Sequence, residues 1–446
     1  MAGGKFDKLA GKVRPGTYIN FESTKVGTVG TGERGTVVIP FVGYDYGPKK
    51  QFISITNTAP DAERVKLGRS VYDTNNCMLL VREALKNASQ VVVYIASGAG
   101  TKATNTGGGV KGTAKYGGTR GNSLAYAIAA NPVSGFDITV TLAGATVNYY
   151  EGVADIAELV AKNDEYIDFE EATSGSSMSV VAGVTLAGGA DATASNTDIS
   201  DFLDAIEGVK FNALCFPVTD SSLKSAAKTK IKYLRESVGK GVIGVISELD
   251  ADYEGVINVT NGVKVDGVSL TSAQATAWVA GATAAASYVQ SNTYKTYEGA
   301  TEIVGVKSHE AAVAAIQNGE FFFSYSEEGK VVAEYDINSL VTIATGKDDS
   351  YRKNRVIRVF DTFAESTQLN FPPNKYPNSP DGWDIMEGVG RSILKTFEDA
   401  GAIKNVDYDN DFLVDREKSV GDQTYFNIGL EPVDSAEKLY FTVATR

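Results

Sequence analysis

Three apolar runs do most to limit what this chain can fold into. Val91-Val92-Val93-Tyr94-Ile95-Ala96, Phe211-Asn212-Ala213-Leu214-Cys215-Phe216 and Val242-Ile243-Gly244-Val245-Ile246 show almost no polar alternation. Each reads as a strand buried on both faces, and such a strand needs helices above and below it. Helical patterns lie between and after them: Asp73 to Ala88, a helix capped by Thr197-Asp198 and running through Ile206, one from Asp220-Ser221-Ser222 to Val238, and an Ala-rich stretch from Leu270 to Val289 with Thr271 or Ser272 as cap. This alternation predicts a parallel sheet sandwiched by helices. Gly35 to Val42 adds a buried strand, and Glu320 to Tyr335 a hairpin turning at Glu327-Glu328-Gly329-Lys330. The fold class is α/β and multi-domain. The 446 residues exceed the roughly 150 of one ordinary domain, and 43% hydrophobic against 22% charged residues excludes wholesale disorder.

The texture changes between Gly98 and about Gly189. Of 46 glycines, 11 lie between Gly98 and Gly144. Short strands are predicted at Asp137 to Leu142, Thr146 to Tyr150 and Ser179 to Val181, with one acidic helix over Val153 to Lys162. This is a small β-rich domain inserted into the α/β chain. The last hundred residues form another unit. It has a helix over Asp348 to Thr367 carrying Arg352, Lys353, Arg355 and Arg358, a loop from Phe371 to Asp381, and a helix from about Trp383 to Ala400. Three β patterns close the chain, at Asp411 to Asp415, Thr424 to Leu430 and Lys438 to Val443. The expected division is therefore an arm over 1–21, the first part of the α/β core over 22–97, the inserted domain over 98–190, the second part of the core over 191–345, and a C-terminal domain over 346–446.

The residues offer little chemistry. A net charge of −13 argues against nucleic-acid binding, because a polyanion is repelled. No apolar run approaches the roughly 20 residues of a membrane span, and the polar, basic start is unlike a secretory signal. Cys77 and Cys215 read as small buried hydrophobes in a reducing compartment. The chain has a single histidine, His309, which any Ser–His or Cys–His system would have to use. It follows Ser308, an apparent N-cap, so it reads as the first turn of a surface helix. Gly30-Thr31-Gly32-Glu33-Arg34-Gly35 matches the dinucleotide-binding pattern, but a strand follows where the pyrophosphate needs a helix N-terminus. Asp407-Tyr408-Asp409-Asn410-Asp411 opens like a calcium loop, yet Phe412 and Lys418 stand where that loop wants Gly and Glu. The reading is no enzyme, no cofactor and no metal.

Two extended chain ends remain. Thr17-Tyr18-Ile19-Asn20-Phe21 alternates behind an arm carrying Lys5, Lys8, Lys12 and Arg14, and Lys438-Leu439-Tyr440-Phe441-Thr442-Val443 mirrors it. A lone strand must pair with something, by folding back or by joining a sheet edge on another molecule. Head-to-tail exchange of such strands makes rings or open helical filaments.

The opening Lys12-Val13-Arg14-Pro15-Gly16-Thr17-Tyr18-Ile19-Asn20-Phe21, the segment Ala114-Lys115-Tyr116-Gly117-Gly118-Thr119-Arg120-Gly121-Asn122, and Asn354-Arg355-Val356-Ile357-Arg358-Val359-Phe360-Asp361-Thr362 together resemble the contractile tail sheath proteins of phages and phage-tail-like bacteriocins, over essentially the full length and in the same order. The resemblance implies a structural subunit of stacked six-subunit rings around an inner tube, contracting to drive that tube through a cell envelope. It also implies a subtilisin-like α/β core without a protease site. Implied partners are other copies of the chain, the inner tail tube protein, and baseplate and tail terminator proteins. The implied setting is a virion or phage-tail-like particle assembled in the host cytoplasm, without membrane insertion. Carried over by position, the donated strands involve Val13, Thr17, Tyr18, Ile19 and Phe21, and Leu439, Tyr440, Phe441 and Val443. The accepting sheet would contain Phe412, Val414, Tyr425, Phe426 and Ile428, and Arg352, Arg355 and Arg358 could meet an acidic tube. Those arginines could as easily pair with Asp348, Asp349 or Asp361. Two readings from other classes are a degenerate α/β hydrolase using His309 and a surface-binding module displaying the Gly-rich insert.

Overall fold

The computed structural model describes residues 2–4, 16–18, 34–73 and 76–445. Its centre is a seven-stranded sheet in the spatial order Glu320–Phe321, Val256–Val259, Ile243–Ser247, Ala213–Phe216, Thr36–Val42, Gln90–Ala96, Phe52–Thr56. Every pairing is parallel except that of Phe52–Thr56, which runs antiparallel along one edge. The two-residue period of a strand explains why the runs had to be apolar throughout. Val37 and Ile39, with Val91, Val93 and Ile95, enter one buried cluster; Val38, Val92 and Tyr94 enter another on the opposite face.

Helices cover both faces. Leu79–Leu85 and Ser272–Ala285 pack on the first, and Asn196–Ala205 and Ser221–Glu236 on the second. Their starts follow from side-chain caps that satisfy otherwise orphaned N–H groups. Thr271 with Gln274 and Ser195 with Asp198 form capping boxes, and Asp220 accepts from the Leu223 N–H. Gly281 allows the Ser272–Ala285 helix to press against the Ala84 carbonyl, where a Cβ would overlap it. The hairpin falls where the sequence puts it, with Phe323–Tyr325 pairing with Val331–Ala333.

Between the strands of the central sheet, residues 104–185 carry two further β-sheets. One sheet orders Ala145–Val153, Phe136–Leu142, Leu124–Ala130, Val181–Thr185; the other orders Ile167–Glu171, Val110–Ala114, Thr104–Gly107. Tyr126 bridges them, donating to the Val110 carbonyl at 2.7 Å and meeting the Phe169 ring edge-on at 5.4 Å. The turn at Gly108-Gly109 needs positive φ at both residues, 61° and 78°, which glycine adopts without strain. Entry and exit are tied together, since Thr101 and Ala190 exchange backbone hydrogen bonds.

The C-terminal region stacks helices Asn354–Asn370 and Pro380–Asp399 around Val359, Phe363, Ile393, Leu394 and Phe397. Phe412 closes that core, its ring filling the space over Gly390. Two of the ion pairs that fasten the first helix to the rest of the chain are largely buried. Arg235 forks onto Asp361 at 2.7 and 2.8 Å, and Arg358 meets Asp336 at 2.7 Å.

Several expectations need correction. The helix before the Gln90–Ala96 strand begins at Leu79, not Asp73, and a 3-10 turn over Asp349–Arg352 precedes the helix beginning at Asn354. Cys215 is buried, and burial pushes its thiol up to about 12, but Cys77 is exposed. Lys438 to Val443 forms no strand within this chain.

Candidate functional site

The C-terminal domain carries the features on which strand exchange would depend. Phe412–Val414 and Phe426–Ile428 pair antiparallel, with Phe412 opposite Ile428 and Val414 opposite Phe426. Asp415 donates to the Tyr425 carbonyl, and Gly429 to the Asp411 carbonyl. In an antiparallel ladder the intervening pairs point their N–H and C=O groups away from each other, so Phe426 and Ile428 present theirs outward. On the other strand the outward Val414 N–H is already taken by Glu387 at 3.0 Å. The sheet has two strands among the described residues, and the Phe426–Ile428 side is its open edge.

The side chains divide in the same way. Phe412 and Val414 are buried, Phe426 is half-buried between the rings of Phe371 and Phe412, and Tyr425 and Ile428 are exposed. Beyond Ile428 the chain returns to its own domain. Lys404 donates to the Glu431 carbonyl, and Val433 to the Ala402 carbonyl. Then it leaves the surface. Leu439, Tyr440, Phe441 and Val443 are 66%, 88%, 83% and 86% exposed. Four large apolar side chains in one terminal segment, all facing solvent, are unusual for a folded chain.

At the other end, Gly16–Tyr18 pairs in parallel with Ala2–Gly4, Thr17 opposite Gly3 and Tyr18 opposite Gly4. A three-residue, two-stranded pairing is marginal by itself. Val13, Ile19 and Phe21 lie outside the described residues.

The three arginines are engaged within the chain. Arg352 donates to the Ile316 and Gln317 carbonyls at 2.6 and 3.1 Å, at the C-terminal end of the His309–Gln317 helix, where a cation suits the exposed carbonyls. Arg355 donates to Ser435 Oγ at 2.7 Å. Arg358 is 1% exposed, paired with Asp336 and donating to the Gln290 carbonyl at 2.6 Å. Of the three arginines that could meet an acidic tube, Arg358 is therefore enclosed within the chain and offers no surface to one. Helical spacing pointed to Asp348, Asp349 or Asp361 as partners, but the partner comes from the loop after Val331–Ala333.

Enzyme-like features fare no better. In open α/β sheets chemistry sits where strand order reverses, here between Thr36–Val42 and Ala213–Phe216. That crevice is lined by Tyr44, Asp45, Cys77, Thr219 and Gln274 among others, and His309 is not among its lining residues. His309 is the first residue of an exposed helix whose N-cap, Ser308, accepts from the Ala311 N–H. Asp407 and Asp411 accept hydrogen bonds from within their own turn. Among the described residues no group of three His, Cys, Asp or Glu side chains could hold a metal ion, and no helix is long and apolar enough to cross a membrane.

Family comparisons fit this architecture. The family model described as the phage tail sheath protein central domain matches residues 192–339, the phage tail sheath C-terminal domain 346–446, the phage tail sheath protein beta-sandwich domain 98–191, and the tail sheath protein Gp18 domain III N-terminal region 34–94. The phage-like element PBSX protein XkdK of Bacillus subtilis is 35% identical across 99% of both chains. The chain belongs to the phage tail sheath proteins. The crystal structure of a sheath tail protein from Desulfitobacterium hafniense matches this sheath protein with a TM-score of 0.83 and 36% identity, covering 96% of this chain and 99% of that one. A subunit of the anti-feeding prophage helical sheath in its contracted state shares the fold, with a TM-score of 0.56 at 12% identity, over 98% of this chain and 100% of that one.

The resemblance drawn from the sequence thus holds at the level of family. The sequence reading missed how the tail is rooted. Glu437 is the residue concerned, and its only sequence signal is an acidic stretch just before the last β pattern.

Proposed function

We propose that this chain is a contractile sheath subunit, polymerising as stacked six-subunit rings around an inner tube by exchanging its terminal strands with neighbours, and contracting to drive the tube through a target envelope. The observation that carries the reading is the apolar, solvent-facing segment Leu439 to Val443 on the same domain as a two-stranded sheet with an open edge at Phe426–Ile428. A segment of that kind can add to such an edge on another copy through main-chain hydrogen bonds, with alternate side chains giving register. The N-terminal strand, held by three marginal pairings, would exchange in the same manner. In this reading the mostly parallel seven-stranded sheet is a subtilisin-like core retained as a rigid body without protease chemistry. The partners would be other copies, an inner tube protein, and baseplate and terminator proteins at the two ends, all assembled in the host cytoplasm.

Removing residues 439–446 from the full chain tests this reading. The shortened protein should keep the unfolding midpoint of the intact chain, because the segment packs on little, yet fail to form cylinders in negative-stain micrographs. Cylinders of normal length and width from the shortened chain would overturn strand exchange at this end.

A further inference from the structure

Two residues before the solvent-facing segment, the tail is held firmly. The Glu437 side chain is 9% exposed. Its Oε1 accepts from Ser291 Oγ at 2.8 Å and from Thr293 Oγ1 at 2.6 Å, and its Oε2 pairs with Lys353. Asp434 lies 3.5 Å from the same ammonium, and Ser435 takes the hydrogen bond from Arg355. Burial alone would lower the Lys353 pKa, but hydrogen bonds to Glu437 and Tyr335 outweigh it and hold the pKa above the usual lysine value.

The same bonds continue inward. Thr293 Oγ1 accepts from the Asp336 N–H at 3.0 Å, and the Asn292 N–H donates to Asp336 Oδ2 at 2.9 Å. Asp336 is the buried partner of Arg358 and also accepts from Asn354 Nδ2 at 2.8 Å. The root of the tail, the 291–293 loop of the core and the first turns of the Asn354–Asn370 helix therefore share one network. Charge-assisted bonds of this type are the stronger kind.

We propose that Glu437 is the positioning residue of the C-terminal strand. It fixes the point and direction from which Leu439 to Val443 leaves the body, and it delivers tension on that strand to the junction between the core and the C-terminal helix. The inference rests on the reading of the tail as a donated strand. Without this anchor, residues 436–438 beyond the Ser435 contact are freed, which would add about 10 Å of slack at roughly 3.3 Å per residue. A longer flexible tether lowers the effective concentration of the strand at a neighbour's edge.

The test uses the full-length chain with Glu437→Ala. Trypsin cleavage after Lys438 in unassembled protein should be roughly tenfold faster, with hydrogen exchange of the Asn354–Asn370 helix unchanged, and the variant should form fewer and shorter cylinders. Glu437→Gln keeps an acceptor for Ser291 and Thr293 but loses the ion pair. It should fall between the natural chain and the alanine variant, and it guards against misfolding of the latter. Unchanged cleavage after Lys438 in both variants would overturn the anchor. Faster cleavage with cylinders of normal number and length would overturn the positioning role. Failure of the strand reading itself is seen separately, as normal assembly of the chain lacking 439–446.

Discussion

Arg358 and Asp336 meet with each side chain 1% exposed, and the carboxylate also accepts from the Asn292 N–H and Asn354 Nδ2. Removing one partner of such a pair strands a buried charge, so Arg358→Met should cost about 3–5 kcal/mol in urea unfolding. Burial alone would raise the Asp336 pKa, but the Arg358 charge and the three hydrogen bonds outweigh it and hold the carboxyl below its ordinary value. A depressed folded-state pKa contributes stability that is complete above the unfolded value of about 3.9 and is lost as pH falls through the folded one. The stability gap between the natural chain and Asp336→Asn should therefore narrow below about pH 4; a gap that stays constant on further acidification would contradict this. At this scale the sequence was only partly legible. Four basic residues in one predicted helix were plain to see, but a partner 22 positions upstream lies beyond any helical spacing. Cys77 misled for a related reason, because an apolar neighbourhood in sequence does not decide which side of a turn faces solvent.

Elements were read more faithfully where their hydrogen bonds close within the chain. The buried strands and the capped helices appear because period-two burial and side-chain caps are local signals. The strand placed at Ser179 to Val181 instead runs over Val181–Thr185, where a register shift between Val181 and Val184 breaks the alternation that sequence reading relies on. Lys438 to Val443 has the alternation but no strand, since a strand needs a partner and among the described residues this segment pairs with none, the open edge at Phe426–Ile428 included. The open-edged hairpin depends on the contact between Phe412 and Gly390, where a Cβ would overlap the ring. Gly390→Ala should therefore destabilise the domain by about 1–3 kcal/mol through overpacking, measured by thermal unfolding, and loosen the Phe412–Val414 strand in hydrogen exchange. An unshifted midpoint would mean the helix and hairpin can part without loss.

For the whole molecule, a net charge of −13 means that copies of this sheath protein repel at long range. Screening reaches about 10 Å at 0.1 M salt and about 3 Å at 1 M. If apolar strand pairing is what joins the copies, the concentration needed for cylinders should fall as salt rises, as turbidity or sedimentation would register; a rise would point to ionic contacts instead. Donation of the C-terminal tail to the Phe426–Ile428 edge of another copy would carry a further consequence. For that one bond each copy brings a donor and an acceptor on different surfaces, so no finite linear stack can satisfy them all. Whatever its length, such an array would expose ungripped tails at one extremity and vacant edges at the other. It would have a direction, and the proteins that seal its two extremities would have to recognise opposite halves of the same bond.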